Sequence, residues 1–466
     1  MDRLSPLDAE FLHLEDGVAH MHIAGVSVFE GPAPSADDLE ELVRAKLHLI
    51  PRYRQRVRSV PLELGRPVWV DDPDFDLSNH LRHVALPAPG DDAALSRLMA
   101  ELMSEPLDRA RPLWETVLVE GLPDGRWSLI FKIHHCMVDG VSGVALLSVL
   151  LDVEREVDLP APEPWQPELE PSAAARVLNA WAGLALDAGA LARRMPGLLA
   201  DPLGSVRSLT HTGQGLVRFG RHLSTTEPLS IEGSIGPSRT WAHSSVSLAD
   251  VKTVGKAFGG TVNDVVLGAV SGGYRELLLS RGEDPDAAVV RTLVPVSVRS
   301  ESAEGVFDNQ VSAILCELPV HLADPVERLA HVREQMADLK GSHMAEAGEA
   351  LMTLGALAPP MLLETGSRLA VRVMHQLPQR SVNTVTTNVP GPQLPLYCLG
   401  REMLEYRPYV PITHGVRVGT AILSYNGRLA FGVTGDKDTA PDVGLLATAI
   451  ATGVDELRQR ADISSR

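Results

Sequence analysis

The sequence predicts an α/β protein of two domains that are joined by a long connecting segment. The chain has 466 residues, which is more than one hydrophobic core usually supports. Helix-like and strand-like patterns alternate up to about residue 157 and again from about residue 238. Between them lies "LPAPEPWQPELEP", residues 159–171, in which five of thirteen positions are proline, a composition typical of a semi-rigid linker. We therefore predict domains at residues 1–157 and 238–466, with a linker and helical crossover at 158–237.

The first domain leads to a corner that carries two adjacent histidines. "SADDLEELVRAKLHLIPRYRQRV" predicts a helix that begins after Ser35, a favourable N-cap, and breaks at Pro51. "DDAALSRLMAELMSE" predicts a second helix, and "RWSLIFKIHH" predicts a buried strand. "SGVALLSVLLDVERE" predicts the helix that follows, with Ser142 as its N-cap. The stretch "KIHHCMVDGVSG" therefore lies on a strand–loop–helix corner, where a rigid scaffold presents loop residues for chemistry.

The crossover has an unusual charge for this chain. Residues 172–223 contain six arginines and two aspartates, a local charge of +4 in a protein of net charge −18. Apolar residues recur there at helical spacing, with Gly and Pro interrupting them. Two interpretations are open: a crossover that packs on the body, or a surface that meets lipid through basic and apolar groups together.

The second domain repeats the alternation. "SLADVKTVGKAFGG" and "TVNDVVLGAVSGGYRELLLSRG" predict helices, whereas "AAVVRTLVPVSVR" and "NQVSAILCELPV" predict strands. "RVGTAILSYNGRLAFGVT" predicts a hairpin, because Asn426-Gly427 joins two apolar-rich strands and favours a type I′ turn. "APDVGLLATAIATGVDELRQRA" predicts a closing helix.

Composition and charge exclude several classes of function. The net charge of −18 argues against nucleic acid as a general partner, because no excess of cations can neutralise phosphates. Cys136, Cys316 and Cys398 are far apart and support neither a disulfide framework nor a zinc cage. The sequence has no run of about 18 apolar residues, and "MDRLSPLDAEFLHLED" carries acidic residues and no apolar core of signal-peptide length, so we expect neither a membrane-spanning helix nor a signal peptide. We expect a cytoplasmic protein that is at most peripheral at a membrane.

The histidine pair allows several kinds of chemistry. A zinc site is disfavoured, because adjacent strand residues point to opposite faces and no third ligand lies at a recognisable spacing. Ser142 lacks the GxSxG elbow of a serine nucleophile, since residue 144 is Val. Cys136 is conceivable as a nucleophile, although it faces away from His135 on an extended chain. A lone histidine base and a histidine pair that is simply satisfied at a strand end remain open.

The run His134-His135-Cys136-Met137-Val138-Asp139-Gly140 matches the HHxxxDG motif of the CoA-dependent acyltransferase superfamily. More specifically, the chain resembles the bacterial wax ester synthase/diacylglycerol acyltransferase family over nearly its full length. The further segments that carry the resemblance, in the order of the family, are "LSPLDAEFLHLE", "PLW" (112–114), "NDVVLGAV" (263–270), "LVPVSVR" (293–299) and "TNVPGP" (387–392). The resemblance implies two chloramphenicol-acetyltransferase-like domains with mixed sheets flanked by helices, and an active-site tunnel between them.

The resemblance also implies a role for each motif residue. His135 is the expected general base and His134 its supporting neighbour at the catalytic site. Asp139 is expected to fix the loop through an arginine, for which Arg299 is the candidate, and Gly140 is the hinge of the corner.

"NDVVLGAV" adds two candidate residues. Asn263 is expected to donate to the oxyanion, since its amide is a neutral donor and a helix N-terminus adds backbone N–H groups; plain helix capping is the alternative. Asp264 is expected to orient its neighbour or to hold the domains in register.

The implied reaction is the direct transfer of a long-chain acyl group from acyl-CoA to a fatty alcohol or a diacylglycerol. We expect acyl-CoA as a cosubstrate with no bound cofactor and no metal, and a peripheral association with the inner membrane or with lipid droplets. Two alternatives stay open: an acyltransferase for another hydroxyl lipid or a polyketide-type diol, and a non-catalytic lipid-droplet-binding protein of the same fold.

Overall fold

The computed structural model describes residues 2–137, 150–183, 228–297, 311–341 and 382–464. Asp139, Gly140 and Arg299, the helix predicted after Ser142 and most of the crossover lie outside the described residues. The described helices with named bounds are α1 (Pro6–Leu14), α2 (Ala36–Lys46), α3 (Asp92–Ser104), α4 (Leu248–Phe258), α5 (Val262–Ser280), α6 (Pro325–Gly341) and α7 (Val443–Ser464). The strands are β1 (Asp2–Arg3), β2 (His22–Phe29), β3 (Gln55–Arg58), β4 (Val68–Asp71), β5 (Leu81–Ala85), β6 (Trp114–Glu120), β7 (Trp127–His134), β8 (Arg239–Ser247), β9 (Val290–Ser297), β10 (Val311–Leu318), β11 (Thr384–Val389), β12 (Tyr397–Cys398), β13 (Arg401–Tyr409), β14 (Val418–Tyr425) and β15 (Arg428–Asp436).

Two six-stranded mixed sheets form the framework, which confirms the predicted fold class. The first has the order β12-β13-β2-β7-β6-β5, and the second β10-β9-β11-β14-β15-β8. β5 and β6 are parallel in the first sheet, and β11 is parallel to both β9 and β14 in the second, whereas the other pairs are antiparallel. A small sheet, β1-β4-β3, lies apart from both.

Local sequence signals placed most described elements correctly. Ser35 caps α2 with a reciprocal capping box to Asp38. The predicted hairpin is β14–β15, with Asn426 at φ 42° and Gly427 at φ 80°, as a type I′ turn requires. The predicted end of α2 was wrong: the helix ends at Lys46, and two 3-10 turns then carry the buried Ile50 and Tyr53 into the core.

One strand leaves its neighbours in sequence and completes the opposite sheet. β13 follows the strands of the second sheet but pairs with β2 of the first, with Tyr409 opposite Ala24. No pattern in the sequence predicted this exchange. It places a strand of the C-terminal part of the chain two strands away from β7, on which the histidines lie.

Two glycines make room for the exchanged strand. A Cβ atom on Gly25 of β2 would lie 2.0 Å from the hydroxyl oxygen of Tyr406 on β13. A Cβ atom on Gly432 of β15 would lie 1.6 Å from the carbonyl oxygen of Pro408, which also accepts a hydrogen bond from the Trp241 indole at 3.3 Å. β13 is therefore enclosed by close contacts on both sides.

The hydrophobic cores follow this exchange. One cluster fills the second domain, and two others pack against the first sheet. Both of the latter take side chains from late in the chain: Leu423 and Tyr425 of β14 join one, and Tyr409 and Trp241 join the other. The two halves of the chain therefore share buried apolar surface.

The proline-rich linker has no helix or strand over residues 157–172, but it is attached to β3 of the small sheet. Glu170 pairs with Arg56 at 3.0 Å and with Arg58 at 3.2 Å, and Trp165 lies under the guanidinium of Arg54 at 4.6 Å. Within the described residues, no helix is both long and apolar enough to cross a membrane.

We expect Gly25→Ala and Gly432→Ala each to destabilise the protein by about 1–3 kcal/mol, the usual cost of overpacking a close contact. Urea unfolding with a constant m-value measures this loss. Gly444→Ala is the matched control, because no atom lies within 4 Å of the added Cβ. Wild-type stability for both β-strand variants would contradict the close enclosure of β13.

Candidate active site

The histidine pair lies where β7 ends. His134 is the last residue of the strand and lies opposite His22 of β2, and His135 begins a 3-10 turn, His135–Met137. The His134 N–H donates to the Leu113 carbonyl at 2.9 Å, and the His135 N–H donates to the Met21 carbonyl at 2.8 Å. The backbone of both histidines is thus held by neighbouring segments on either side.

The two imidazoles have different surroundings. His134 is fully buried, and its Nδ1 accepts a hydrogen bond from the Cys136 N–H at 3.1 Å. In the neutral ring the proton therefore lies on Nε2, which faces Glu15 Oε2 at 3.4 Å. His135 is only partly buried, and its ring stacks on Phe11 of α1 with centroids 3.9 Å apart and planes inclined by 25°.

Glu15, one residue beyond α1, has a carboxylate that lies close to several cationic or titratable side chains. Its Oε1 lies 3.3 Å from His22 Nε2 and 3.8 Å from His20 Nδ1, and Arg109 Nε donates to its Oε2 at 3.0 Å. Burial by itself raises the pKa of Glu15, but the contacts with His134 and His22 outweigh it and hold the pKa well below its usual range. The carboxylate is therefore charged at neutral pH.

This cluster does not form a metal site. Among the residues that the structure describes, no group of three or more His, Cys, Asp or Glu side chains could hold a metal ion.

Burial lowers the pKa of His22 to about 3, so its imidazole is neutral at neutral pH.

A cysteine nucleophile is also disfavoured. Cys136 is buried beside α1, and burial raises the pKa of its thiol well above the usual value. The thiolate, which is the nucleophilic form, is therefore disfavoured at neutral pH. All three cysteines of the chain are buried and free of disulfides.

The "PLW" segment lies next to the histidine pair and contacts it through the backbone. Trp114 is buried between Tyr53 and His80, with ring centroids 4.4 and 4.6 Å away, and its indole donates to the Tyr53 carbonyl at 2.9 Å. Its neighbour Leu113 is the residue that accepts the His134 N–H. This segment acts on the site through packing and the backbone.

Asn263 lies in the first turn of α5. Thr261 and Asp264 form a capping box, in which Asp264 Oδ2 accepts from the Thr261 N–H at 2.7 Å. Asn263 Oδ1 accepts a hydrogen bond from the side chain of Asn388 at 3.2 Å. Because this contact uses the carbonyl oxygen, the NH2 group is the part of Asn263 that can donate to a ligand.

The histidine corner and the Asn263–Asn388 pair border one hydrophobic cluster. Met137, at the end of the 3-10 turn, and Val389, next to Asn388 on β11, both pack against the cluster that contains Trp114 and Ile133. The cluster also takes Leu423 from β14 of the second sheet. Chain neighbours of the candidate residues from the two halves thus pack against the same hydrophobic cluster.

A small cleft lies elsewhere, where β8, β13 and β15 meet. His243, Glu405, Arg407 and Arg428 are among its lining residues, and Arg407 is paired with Asp92 at 2.9 Å. None of the histidine-corner residues lines it. The predicted tunnel to His135 therefore stays a prediction, as does the pairing of Asp139 with Arg299, which lies outside the described residues.

The sequence left three residues of this site without a role. Phe11 and Glu15 are in "LSPLDAEFLHLE" and Asn388 is in "TNVPGP". These motifs contain the three residues but do not predict their contacts with the histidine pair or with Asn263. Phe11 lies within α1 and Glu15 follows the last residue of that helix, so the available signal was their presence in one short motif.

Two mixed sheets linked by an exchanged strand, with an HH pair ending a central strand, define the class of two-domain acyltransferases. The model of the wax ester synthase/diacylglycerol acyltransferase catalytic domain matches residues 4–266, and that of the family's C-terminal domain matches residues 307–458. The chain therefore belongs to the wax ester synthase/diacylglycerol acyltransferase family, and the predicted family and enzyme class are confirmed.

Individual relatives agree with this assignment. A protein of Mycobacterium tuberculosis, named a probable diacylglycerol O-acyltransferase, is 37% identical over 467 residues, 98% of this chain and 96% of the relative. The wax ester synthase/diacylglycerol acyltransferase of Marinobacter aquaeolei has a solved structure with a TM-score of 0.70 and 26% identity, covering 99% of this chain and all of the other. The first condensation domain of the CDA synthetase has the same fold, with a TM-score of 0.62 and 16% identity over 99% of this chain and 96% of that one.

The buried neutral His22 predicts a loss of stability in acid. Between about pH 3 and 6.5 the unfolded chain binds a proton on His22 that the folded chain does not, so the free energy of unfolding falls as the pH falls below 6.5. We expect His22→Gln to reduce this pH slope by up to about 1.4 kcal/mol per pH unit. Urea titrations at pH 7, 6 and 5 measure the slope, and His83→Gln, an exposed histidine of β5, is the control. An identical slope in wild type and His22→Gln would show that His22 is not buried as a neutral group.

Proposed function

We propose that the protein transfers a long-chain acyl group from acyl-CoA to the hydroxyl of a diacylglycerol or a fatty alcohol, with His135 as the general base. The observation that carries the proposal is the division of labour within the histidine pair. Both ring nitrogens of the fully buried His134 face protein groups, whereas His135 is partly exposed at the end of β7. His135 is thus the histidine that a substrate can approach.

The proton path of the reaction uses one imidazole. Neutral His135 accepts the proton of the acceptor hydroxyl while the oxygen attacks the thioester carbonyl, so that the new C–O bond forms without an acyl-enzyme. Collapse of the tetrahedral species breaks the C–S bond, and the imidazolium returns the proton to the CoA thiolate. No bound cofactor takes part, since acyl-CoA itself is the cosubstrate.

The oxyanion requires donors that are already oriented. The NH2 group of Asn263 is suited to this role, because Asn388 occupies its carbonyl oxygen and the capping box holds the first turn of α5. Asp139 and Arg299 are proposed to fix the loop after His135. The name of the mycobacterial relative favours diacylglycerol as the acceptor, and that of the Marinobacter enzyme admits a fatty alcohol as well.

A product assay tests the reaction. Purified protein receives palmitoyl-CoA with hexadecanol and a diacylglycerol, and mass spectrometry resolves the lipids. We expect triacylglycerol or wax ester from wild type and a loss of about 10²–10⁴-fold in His135→Ala, the usual contribution of a general base.

His83→Ala is the control for that assay, as an exposed histidine of β5. CoA release only with other hydroxyl lipids would show that the acceptor is one of those lipids and not a diacylglycerol or a fatty alcohol. Full activity in His135→Ala would show that His135 is not the general base. Absence of turnover with every acceptor would favour the non-catalytic lipid-binding alternative.

The substrates that we propose reside in membranes or lipid droplets, and one described surface suits such a lipid phase. Residues 173–183 form a helix on which Leu178 and Trp181 are 71% and 57% exposed. They are three residues apart and so lie on one face. Ala180 packs near Gly65 on the other side. We propose that this face inserts into the interfacial region of a lipid surface.

Liposome flotation tests this association. We expect Leu178→Ser with Trp181→Ser to lower the bound fraction several-fold, because about 1.5–3 kcal/mol of apolar burial is lost for each large side chain. Leu279→Ser on α5 removes a similarly exposed leucine and should bind like wild type. Equal binding of all variants would show that this helix does not contact the lipid surface.

A further inference from the structure

We propose that helix α1 and the residue that follows it are the positioning element of the base, with Phe11 holding the ring of His135 and Glu15 holding the ring of His134. The inference rests on the proposed function, since it takes His135 as the base. Phe11 and Glu15 are positioning residues rather than catalytic ones: they act on the two imidazoles and through them on the geometry of the reaction.

The Phe11 contact restricts the base directly. The two rings are 3.9 Å apart at 25°, close to parallel, so the phenyl ring covers one face of the imidazole. α1 is itself held in place: Ser5 caps its N-terminus, and Ala9 and Leu12 pack with Cys136 of the histidine turn. A rotation of the His135 ring away from the observed plane would have to displace a helix that is packed on the same turn.

Glu15 acts through a chain of three groups. Its Oε2 lies 3.4 Å from His134 Nε2, and the opposite nitrogen of that ring accepts from the Cys136 N–H at 3.1 Å. Cys136 follows His135 in the 3-10 turn. Glu15 therefore fixes the tautomer of His134, the tautomer fixes the hydrogen bond to Cys136, and this hydrogen bond fixes the turn that presents the base.

The buried charge of Glu15 is balanced from every side. His20 and His22 approach Oε1, His134 and Arg109 approach Oε2, and Lys132 acts on it from β7. A charge in such a site is costly unless it is paired and hydrogen-bonded. Arg109 also donates to the Leu12 carbonyl at 2.9 Å, so the same guanidinium holds the last turn of α1.

The segment after Glu15 extends this support to the second half of the chain. Asp16 Oδ1 accepts from the N–H groups of Val18 and Ala19, and its Oδ2 lies 3.1 Å from His414 Nε2. Arg239 of β8 donates to the Val18 carbonyl. The element that positions the base is therefore anchored in both halves of the chain.

The first test is kinetic. We expect Phe11→Leu to lower kcat by about 10–100-fold, since a small misplacement of a catalytic group has such a cost, and to leave KM unchanged for both substrates. Phe11→Tyr keeps the ring and should retain most of kcat. Phe75→Leu is the matched control, because Phe75 also stacks on a histidine, His80, with centroids 5.4 Å apart, outside the base.

Rates are taken per folded molecule, as measured by circular dichroism. Wild-type kcat in Phe11→Leu would overturn the role of Phe11. A raised KM with unchanged kcat would do the same, because it would make Phe11 a substrate contact instead.

The second test does not depend on turnover. Selective ¹⁵N-histidine labelling, with His134→Gln for assignment, reports the tautomer of His134 by NMR. We expect the Nε2–H tautomer in wild type and a mixture of tautomers in Glu15→Gln, with a reduced kcat at unchanged KM. Glu170→Gln is the control, since Glu170 also collects several cations, Arg56, Arg58 and Arg176, away from the site.

An unchanged tautomer in Glu15→Gln would overturn the role of Glu15. The tautomer measurement also separates this inference from the proposed function. If wild type transfers no acyl group but Glu15→Gln alters the His134 ring, the positioning element stands and the proposed reaction fails. If wild type is active and neither variant changes the tautomer or kcat, the reaction stands and the positioning element fails.

Discussion

The antiparallel pairing of β13 with β2 is the constraint on which the rest of the structure depends. β2 would otherwise be an edge strand with unpaired N–H and C=O groups. With β13 on one side and β7 on the other, β2 is held at the centre of the first sheet, and His22 is held opposite His134. The approach is close because Gly25 and Gly432 carry no Cβ atom that would meet β13. Backbone pairing across the whole length of the chain thus determines where the histidine pair lies.

The histidine corner depends on how a buried charge is compensated. Burial favours the neutral form of an imidazole, and at His20 and His22 it outweighs the nearby Glu15 carboxylate and lowers the pKa of both side chains. Arg109 supplies a permanent positive charge at the rim, where its side chain is half exposed. This arrangement leaves the two members of the HH pair in different surroundings. His134 is fully buried and accepts a hydrogen bond from the turn, and His135 is only partly buried and stacks on Phe11.

The parts of the fold that depend on nearby residues were predictable. The N-cap of α2 at Ser35, the Asn426-Gly427 turn and the fully buried β7 follow from signals within a few residues, and the structure confirms them. The end of α2 was not predictable, because Ile50 and Tyr53 join a core that also contains residues distant in sequence, such as Leu396 and Tyr425. The exchange of β13 was not predictable either, because strand propensity does not determine which other strand a segment pairs with.

The sequence by itself determined the class of fold, the family and the identity of the histidine pair, since motif order and local periodicity are written in contiguous residues. Only the tertiary structure decided which groups surround that pair. Phe11 reaches His135 from α1, Glu15 joins residues from β2, β7 and the segment before β6, and Asn388 meets Asn263 from another strand. These contacts are set by packing and strand pairing between segments far apart in the chain, and no local pattern encodes the distance between them.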